Sequence, residues 1–529
     1  MLRINELRLP IDHTKADLYQ KIKKHLKTKE DFKYEIVRRS LDARKKPVLY
    51  FSYIIDITVA NEALVLRYAD KKVVKTEKKE YSFPHSIADI ANNNRPVVIG
   101  LGPAGLFAAL YLSRAGFRPI VFERGSDINN RRKEVDDFWE KGTLNKNSNV
   151  QFGEGGAGAF SDGKLNTLVK DKYGRNKAVL KDLVLKGAPS EILYDHKPHV
   201  GTDLLTQVVA SISDEIRSNG GDIYYNTAVT DFIIEGDILK GIRTDKGKEL
   251  IGHPVVLSIG HSARDTFNTL YDLGVIMEPK SFAVGLRVEH KATLINENQY
   301  GSSQVPTLGN ANYKLTHQCK DGRGVYSFCM CPGGYVINAS SEDRRLAING
   351  MSYHDRSAEN SNSAIIVAVN PLDYGDGINP MSGIEFQRLL EEKAYEIGKG
   401  KIPVESYGEY KAQKLDLNIQ LNPCIKGGFT HSNVHDILPD YLMKDFIEGM
   451  ESFGCTIKGF NDNETLVSGI ESRTSSPIRI PRDDSFQANI KGLFPAGEGA
   501  GYAGGITSAA MDGIAVAEKV AEYIINLDD

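Results

Sequence analysis

An α/β fold follows from three features of this sequence. VVIGLGPAG, at 97–105, sets an apolar run ahead of a G-x-G-x-x-G spacing. GLFPAGEGAGYAGGITSAAMDG, at 492–513, supplies a second strand, glycine loop and helix start far down the chain. From about 268 to 464, strand-like and helical patterns mix with no nucleotide signature. Together these predict a Rossmann-type dinucleotide-binding domain in two parts, 95–267 and 465–529, with an inserted α+β substrate or cap domain over 268–464. A small α+β domain over residues 1–90 precedes them, and a chain of 529 residues is long enough to need several domains.

In residues 1–90, LRINELRLP alternates like a strand and ADLYQKIKKHLK has helical spacing. FKYEIVRRSLDARKKPVLYFSYIIDITV reads as two strands around a basic turn, which completes a β-α-β-β unit. Arg38, Arg39, Arg44, Lys45 and Lys46 form a local basic run there. Such a run can meet RNA phosphates, although a solvated turn is its usual explanation. NNNRP, at 92–96, is expected to be a linker.

Val97, Val98 and Ile99 then form the apolar run of a buried parallel strand. Gly100 permits a tight turn, Gly102 lets backbone approach a pyrophosphate, and Gly105 allows close helix packing, with Pro103 and Ala104 between them. The helix that follows, Leu106 to Arg114, brings free N–H groups and a partial positive charge to the phosphate. A second strand from Pro119 to Phe122 ends at Glu123, a carboxylate placed to accept bonds from a ribose 2′-hydroxyl. Neighbouring Arg124 weakens its expected rejection of a 2′-phosphate. NAD and FAD both remain open on this motif alone.

A charged helical segment with Arg131, Arg132 and Trp139 leads to QFGEGGAGAFSDGK, at 151–164, where Gly155 and Gly156 are expected beside the cofactor. TDLLTQVVASISDEIRSNGG reads as an amphipathic helix, and the residues after it as several strands that include Val229. VVLSIGH, at 255–261, is expected to return beside the nucleotide, with Gly260 allowing close approach. SFAVGLRVEH, YVINAS and AIIVAVN are strand-like pieces of the insertion, and GIEFQRLLEEKAYEIG is one of its helices.

The C-terminal stretch favours FAD. A flavin dinucleotide needs a second grip at its ribityl and ring end, which NAD does not. Gly497 and Glu498, at the end of a strand, are placed for the ribityl hydroxyls, and Gly504, Gly505 and Ile506 bring backbone N–H groups at a helix start. A helix dipole there stabilises charge that develops on flavin reduction. Noncovalent FAD is therefore the expected cofactor.

Composition narrows the remaining classes. A net charge of −3 gives no global electrostatic case for nucleic acid or membrane. No apolar run approaches the ~20 residues of a membrane span, and the first residues lack the apolar core of a secretion signal. Five cysteines in so long a chain do not make a disulfide framework, so a cytoplasmic address is expected.

This arrangement resembles the single-Rossmann flavoproteins that include fumarate reductase flavoprotein subunits and glucose-inhibited-division-type tRNA-modifying proteins. It resembles more closely the largely uncharacterised family of bacterial and plastid FAD-dependent dehydrogenases. The carrying segments are GEGGAGAFSDGKLNT, IGHSARDTF, YSFCMCPGGYVINASSE, NGMSYHDRSAENSNSAIIV, ESRTSSPIRIPRD and AGEGAGYAGGITSAAMDG, spread over 95–520. The resemblance implies FAD binding and an oxidoreductase-type fold. It says little about substrate, because the family is named by fold rather than by a reaction.

Candidate chemistry sits at five residues, with a sixth as a weaker candidate. Cys329 and Cys331 form a C-x-C, which needs a turn to act as a pair, and Pro332, Gly333 and Gly334 could supply one. Buried structural thiols are the commoner explanation of such a pair. Arg473, in ESRTSSPIRI, is expected to meet an anionic substrate with its fork. His261 and His354 are candidate proton donors, and Lys164 is a weaker candidate. No metal site is expected, since Cys319, Cys424 and Cys455 lack paired spacing. No second G-x-G-x-x-G opens a helix, so reductant must come from a small-molecule substrate, from NAD(P)H docking transiently, or from a protein donor. The leading reading is an oxidoreductase that passes hydride between flavin N5 and a small, anionic substrate. The alternatives are a flavin-dependent RNA-modifying enzyme that uses the basic N-terminal domain, and a non-catalytic FAD-binding protein.

Overall fold

The computed structural model describes residues 1–28, 30–91 and 94–528, with no side-chain account of residue 528. Asn92 and Asn93 of the expected linker lie outside the described residues.

The N-terminal residues form an antiparallel sheet in the order Lys33–Lys45, Val48–Thr58, Leu2–Pro10, Val73–Lys75. Helix Lys15–Leu26 starts at a capping box between Thr14 and Asp17 and buries Leu18, Ile22 and Leu26. This i, i+4, i+8 stripe covers Leu2, Ile4, Ile55 and Ile57 of the sheet. Helix Glu62–Tyr68 and edge strand Val73–Lys75 extend the unit beyond the β-α-β-β pattern read from the sequence. Most of the basic run is engaged inside the chain. Arg39 makes a two-pronged pair with Asp195, its strand bridges to the same residue, and its guanidinium lies over Phe51 and Tyr194. Arg38 meets His196, Arg44 holds Asp42, and Lys46 donates to the carbonyl of Asn298.

The nucleotide sheet is parallel throughout, in the order Leu493–Pro495, Val255–Leu257, Val97–Ile99, Ile120–Phe122, Asp222–Tyr224. Its first strand comes from the far end of the chain, so the two sequence segments of the domain close one sheet. Helices Pro103–Arg114, Thr202–Ser218 and Ile506–Asp528 contribute to the core on one side. Phe232, Leu239 and Ile242 of a three-stranded antiparallel sheet pack with Val97, Ile99 and Val255 in another core cluster. A Cβ on Gly513 would lie 2.1 Å from the Ala104 carbonyl, so the two gripping helices touch backbone to backbone.

The insertion is built on a seven-stranded sheet ordered Thr316–Gln318, Gly324–Cys331, Asn360–Val369, Phe282–Lys291, Leu466–Glu471, Ile402–Ser406, Phe429–His431. Phe282–Lys291 and Asn360–Val369 are buried almost end to end, as expected of central strands covered on both faces. Helices Ser382–Gly398 and Asp440–Thr456 supply much of the cover. After Leu466–Glu471 the chain runs through 472–480 back to the nucleotide sheet. Among the described residues no helix is long and apolar enough to cross a membrane.

Candidate functional site

One long cleft lies at the carboxyl ends of the parallel strands and is walled on its far side by the inserted sheet. The first grip is assembled by close backbone contacts. Gly100 has φ +91, and a Cβ there would lie 2.5 Å from the Ser258 carbonyl. A Cβ on Gly105 would lie 2.0 Å from the carbonyl of Gly100. Gly102 N-caps helix Pro103–Arg114 with no side-chain bond, which leaves its first N–H groups open at the cleft, while Pro103 has none to lose. Gly156 sits against this turn, its Cβ position 2.9 Å from the Gly102 Cα. Gly155 lies behind the lining, donating its N–H to the Leu101 carbonyl.

Glu123 has another duty besides the ribose contact expected of it. Its buried carboxylate accepts from the backbone N–H of Leu101 at 2.7 Å, Gly125 at 2.9 Å and Gly153 at 3.0 Å. A carboxylate offers about four acceptor positions, so one remains for a hydroxyl. Arg124 lines the cleft, stacks over Phe152 at 4.5 Å and donates to Thr266 at 2.9 Å and Asp265 at 3.1 Å. Val229 and Gly260 also line the cleft.

The second grip brings Glu498, Gly504, Gly505 and Ile506 to the same cleft. Gly497 stands behind it, donating to Asp512, with its Cβ position 2.6 Å from the Ala104 side chain. It packs the two grips together and does not reach the cleft. A Cβ placed on Gly260, Gly504 or Gly505 would meet no atom within 4 Å. The loops therefore leave open room where backbone can come close to a ligand, as a dinucleotide cradle requires. Gly504→Val is expected to leave the fold intact and to weaken FAD binding at least about tenfold (about 1.4 kcal/mol). Flavin titration and thermal denaturation of the variant check this, and unchanged affinity would sink the cradle.

His261 Nε2 lies 3.9 Å from Glu498 Oε1, and its Nδ1 is 3.2 Å from the Ser262 hydroxyl. Burial, with the charges of Arg473 and Arg264, pushes His261 down to about 3, so the ring is neutral. Burial raises Glu498 to about 7, helped by Cys329 and opposed by Lys280. In flavin-free protein the folded state thus keeps a proton that the unfolded chain releases near 4.5, and stability falls as pH rises between those values. Glu498→Gln should match the wild type near pH 4 and exceed it in stability at about pH 8. Denaturation midpoints at the two pH values decide it, and equal midpoints at the higher pH would count against a burial cost.

The far wall carries Phe328, Cys329, Asn349, Glu471, Arg473 and Thr474. Arg473 reaches the cleft wall, but its fork is not free for a substrate carboxylate. Nε and Nη2 each lie 2.8 Å from an oxygen of Glu391, and Nη1 donates to Ser341 and Ser262. Arg264 grips the same Glu391 from its other side, and all three side chains are buried. His354 also departs from expectation. It is absent from the cleft wall, bonds the Val200 carbonyl through Nδ1 and stacks on His199. Lys164 does line the cleft, 3.7 Å from buried Asp162.

Cys329 is at the cleft wall and Cys331 is buried behind it. The turn between them is not the one expected at Pro332–Gly334. Cys329 itself has φ +42, within a register shift between Phe328 and Cys331. Sequence reasoning missed Glu391, which reads as one more acid in a helix, and it missed Arg264 in HSARD. It also missed the grouping of His317, Cys319 and Glu448, whose ligand-type atoms lie within 4.8 Å of one another. Cysteine spacing carries no signal for that grouping, since the three residues come from a hairpin and a distant helix.

Residues 281–474 match the model of FAD-dependent proteins, C-terminal domain-like, and residues 1–58 match a domain of unknown function. A protein of Clostridium beijerinckii, itself described as uncharacterized, is 45% identical over 531 residues, covering 98% of each chain. Among solved structures, FrdA of E. coli quinol fumarate reductase aligns at 12% identity with a TM-score of 0.37, over 82% of this chain and 71% of that one. L-proline dehydrogenase of P. horikoshii aligns at 14% identity with a TM-score of 0.31, over 82% and 95%.

Proposed function

This chain belongs to the family of FAD-dependent proteins, and we propose that it is an oxidoreductase acting on a small molecule held between its nucleotide grips and its inserted sheet. FAD is its cofactor. One observation carries the reading: the residues of both grips line a single cleft with Phe328 and Cys329 of the inserted sheet, with Asn349 of the separate strand Ile348–Met351, and with Thr474 just past strand Leu466–Glu471. A cofactor held by the grips therefore shares its space with side chains from another domain, which is where a substrate pocket forms.

When bound, FAD supplies a ring atom, N5, that accepts or returns a hydride. The chain's part is to hold the cofactor, shape the space beside it and handle protons. Helix Ile506–Asp528 begins at the cleft, so its positive end faces the ligand. Glu498, with its raised pKa, carries a proton for part of the time at neutral pH and is the proposed proton-handling residue. His261 beside it stays neutral and flanks that carboxyl without serving as its base. Arg473 supports the wall through Glu391 and is not proposed as the anion grip.

The purified protein should be yellow and release FAD on denaturation. Under anaerobic conditions NADH, NADPH, organic acids, amines and thiols should be offered one class at a time. Bleaching of the flavin band by one class is the expected result. Bleaching by dithionite alone would argue against an oxidoreductase and leave a binding protein.

A further inference from the structure

Two thiols one residue apart on a regular strand point to opposite faces of the sheet. Strand Gly324–Cys331 is irregular at this point. Its pairing with Asn360–Val369 shifts register between Phe328 and Cys331, and Cys329 lies in the left-handed region. A bulge re-aims the side chain it carries, and a cysteine held in that region is held by its surroundings. The outcome is that the Cys331 thiol donates to the Cys329 carbonyl oxygen at 3.2 Å, across the irregular step of the strand.

The surroundings are those of a working thiol. Cys329 opens on the FAD cleft together with Glu498 of the second grip and Lys164. Arg287, fully buried, donates to the Cys329 carbonyl at 3.2 Å and is itself fixed by Glu471 and Asn362. The hydrogen bond from Cys331 holds Cys329 below the ordinary thiol range against the effect of burial, and Arg287 and Lys164 add to it. Burial pushes Cys331 the other way. One thiolate beside one thiol is the state from which disulfide chemistry proceeds.

We propose that Cys329 and Cys331 are a redox-active dithiol that exchanges an electron pair with the FAD of this cleft. The inference rests on the FAD-dependent reading above. As the pair is oxidised, the Cys329 thiolate and the Cys331 thiol form one S–S bond and the Cys331 S–H bond breaks. The two electrons and that one proton pass to FAD. The reverse step restores the dithiol and oxidised FAD.

Trypsin releases Gly324–Arg344, a peptide that contains both cysteines and none of the other three. Holoprotein is first equilibrated anaerobically in thiol–disulfide buffers of graded potential, then acid-quenched and alkylated with iodoacetamide. The peptide should switch between a doubly alkylated form and an unalkylated form lighter by two hydrogens. Dithionite titration of the oxidised holoprotein should consume two electron pairs per FAD in the wild type. Cys329→Ser and Cys331→Ser should each retain FAD and consume one. A peptide that is doubly alkylated at every potential, or one electron pair per FAD in the wild type, overturns the proposal. Colourless protein would overturn the FAD reading as well, and it is seen before any peptide is weighed.

Discussion

Glu391→Ala is expected to lower the stability of the protein by about 3–5 kcal/mol, the usual cost of stranding a buried charge. Glu391 is wholly buried between the guanidinium groups of Arg264 and Arg473. Burial alone would raise its pKa, but those two charges hold it well below the ordinary carboxylate range, so it is ionised. Removing it leaves two buried cations facing each other with Glu342 as their remaining carboxylate neighbour. Glu391→Gln should fail similarly, since the amide keeps the volume without the charge. Urea denaturation with an unchanged slope measures the loss directly. A shift below about 1 kcal/mol would mean that water or a rearranged Glu342 satisfies both arginines.

Glu123→Ala should have the largest effect on the cofactor. The three N–H groups it binds belong to the first glycine turn, to the residue after Arg124 and to the 151–164 loop. Each such bond to a charged group contributes roughly 1.5–3 kcal/mol, although the three are not additive. Losing them loosens the turn before any ribose contact is counted. Two quantities should therefore fall together: FAD affinity in a titration, and the thermal midpoint of the flavin-free protein. If the flavin-free midpoint stays put while affinity falls, the ribose contact alone matters, and the loop-tying role is refuted.

Much of the nucleotide domain was legible because its signals are local. Val97–Ile99, the three glycines, the helix and Glu123 lie within one short stretch, and each has a backbone reason for its spacing. The second grip was legible for the same reason, down to Glu498, Gly505 and Ile506 at the cleft. What stayed hidden depends on partners far apart in the chain. Arg473 looked free to bind an anion because nothing near it in sequence reveals Glu391, which arrives from a helix of the insertion. His354 looked like a proton donor because its neighbours are polar, yet Val200 and His199 occupy it. The C-x-C was visible in the sequence, where buried structural thiols were its commoner explanation, but the bulge at Cys329 is set by strand pairing, which alternation along one strand cannot express.

The placement of strand Leu493–Pro495 beside Val255–Leu257 has a consequence for how the protein is made. Helices Pro103–Arg114 and Ile506–Asp528 pack backbone to backbone although they start about 400 residues apart, so their contact closes an unusually large loop, and long-range closure slows folding. On the ribosome the inserted sheet can assemble while the nucleotide sheet still has an open edge at Val255–Leu257. Such an edge invites pairing with other chains. Until residues 493–528 have emerged, a nascent chain holds only the first of its two grips. Free FAD in the cell therefore acts late, by trapping the closed sheet once it forms.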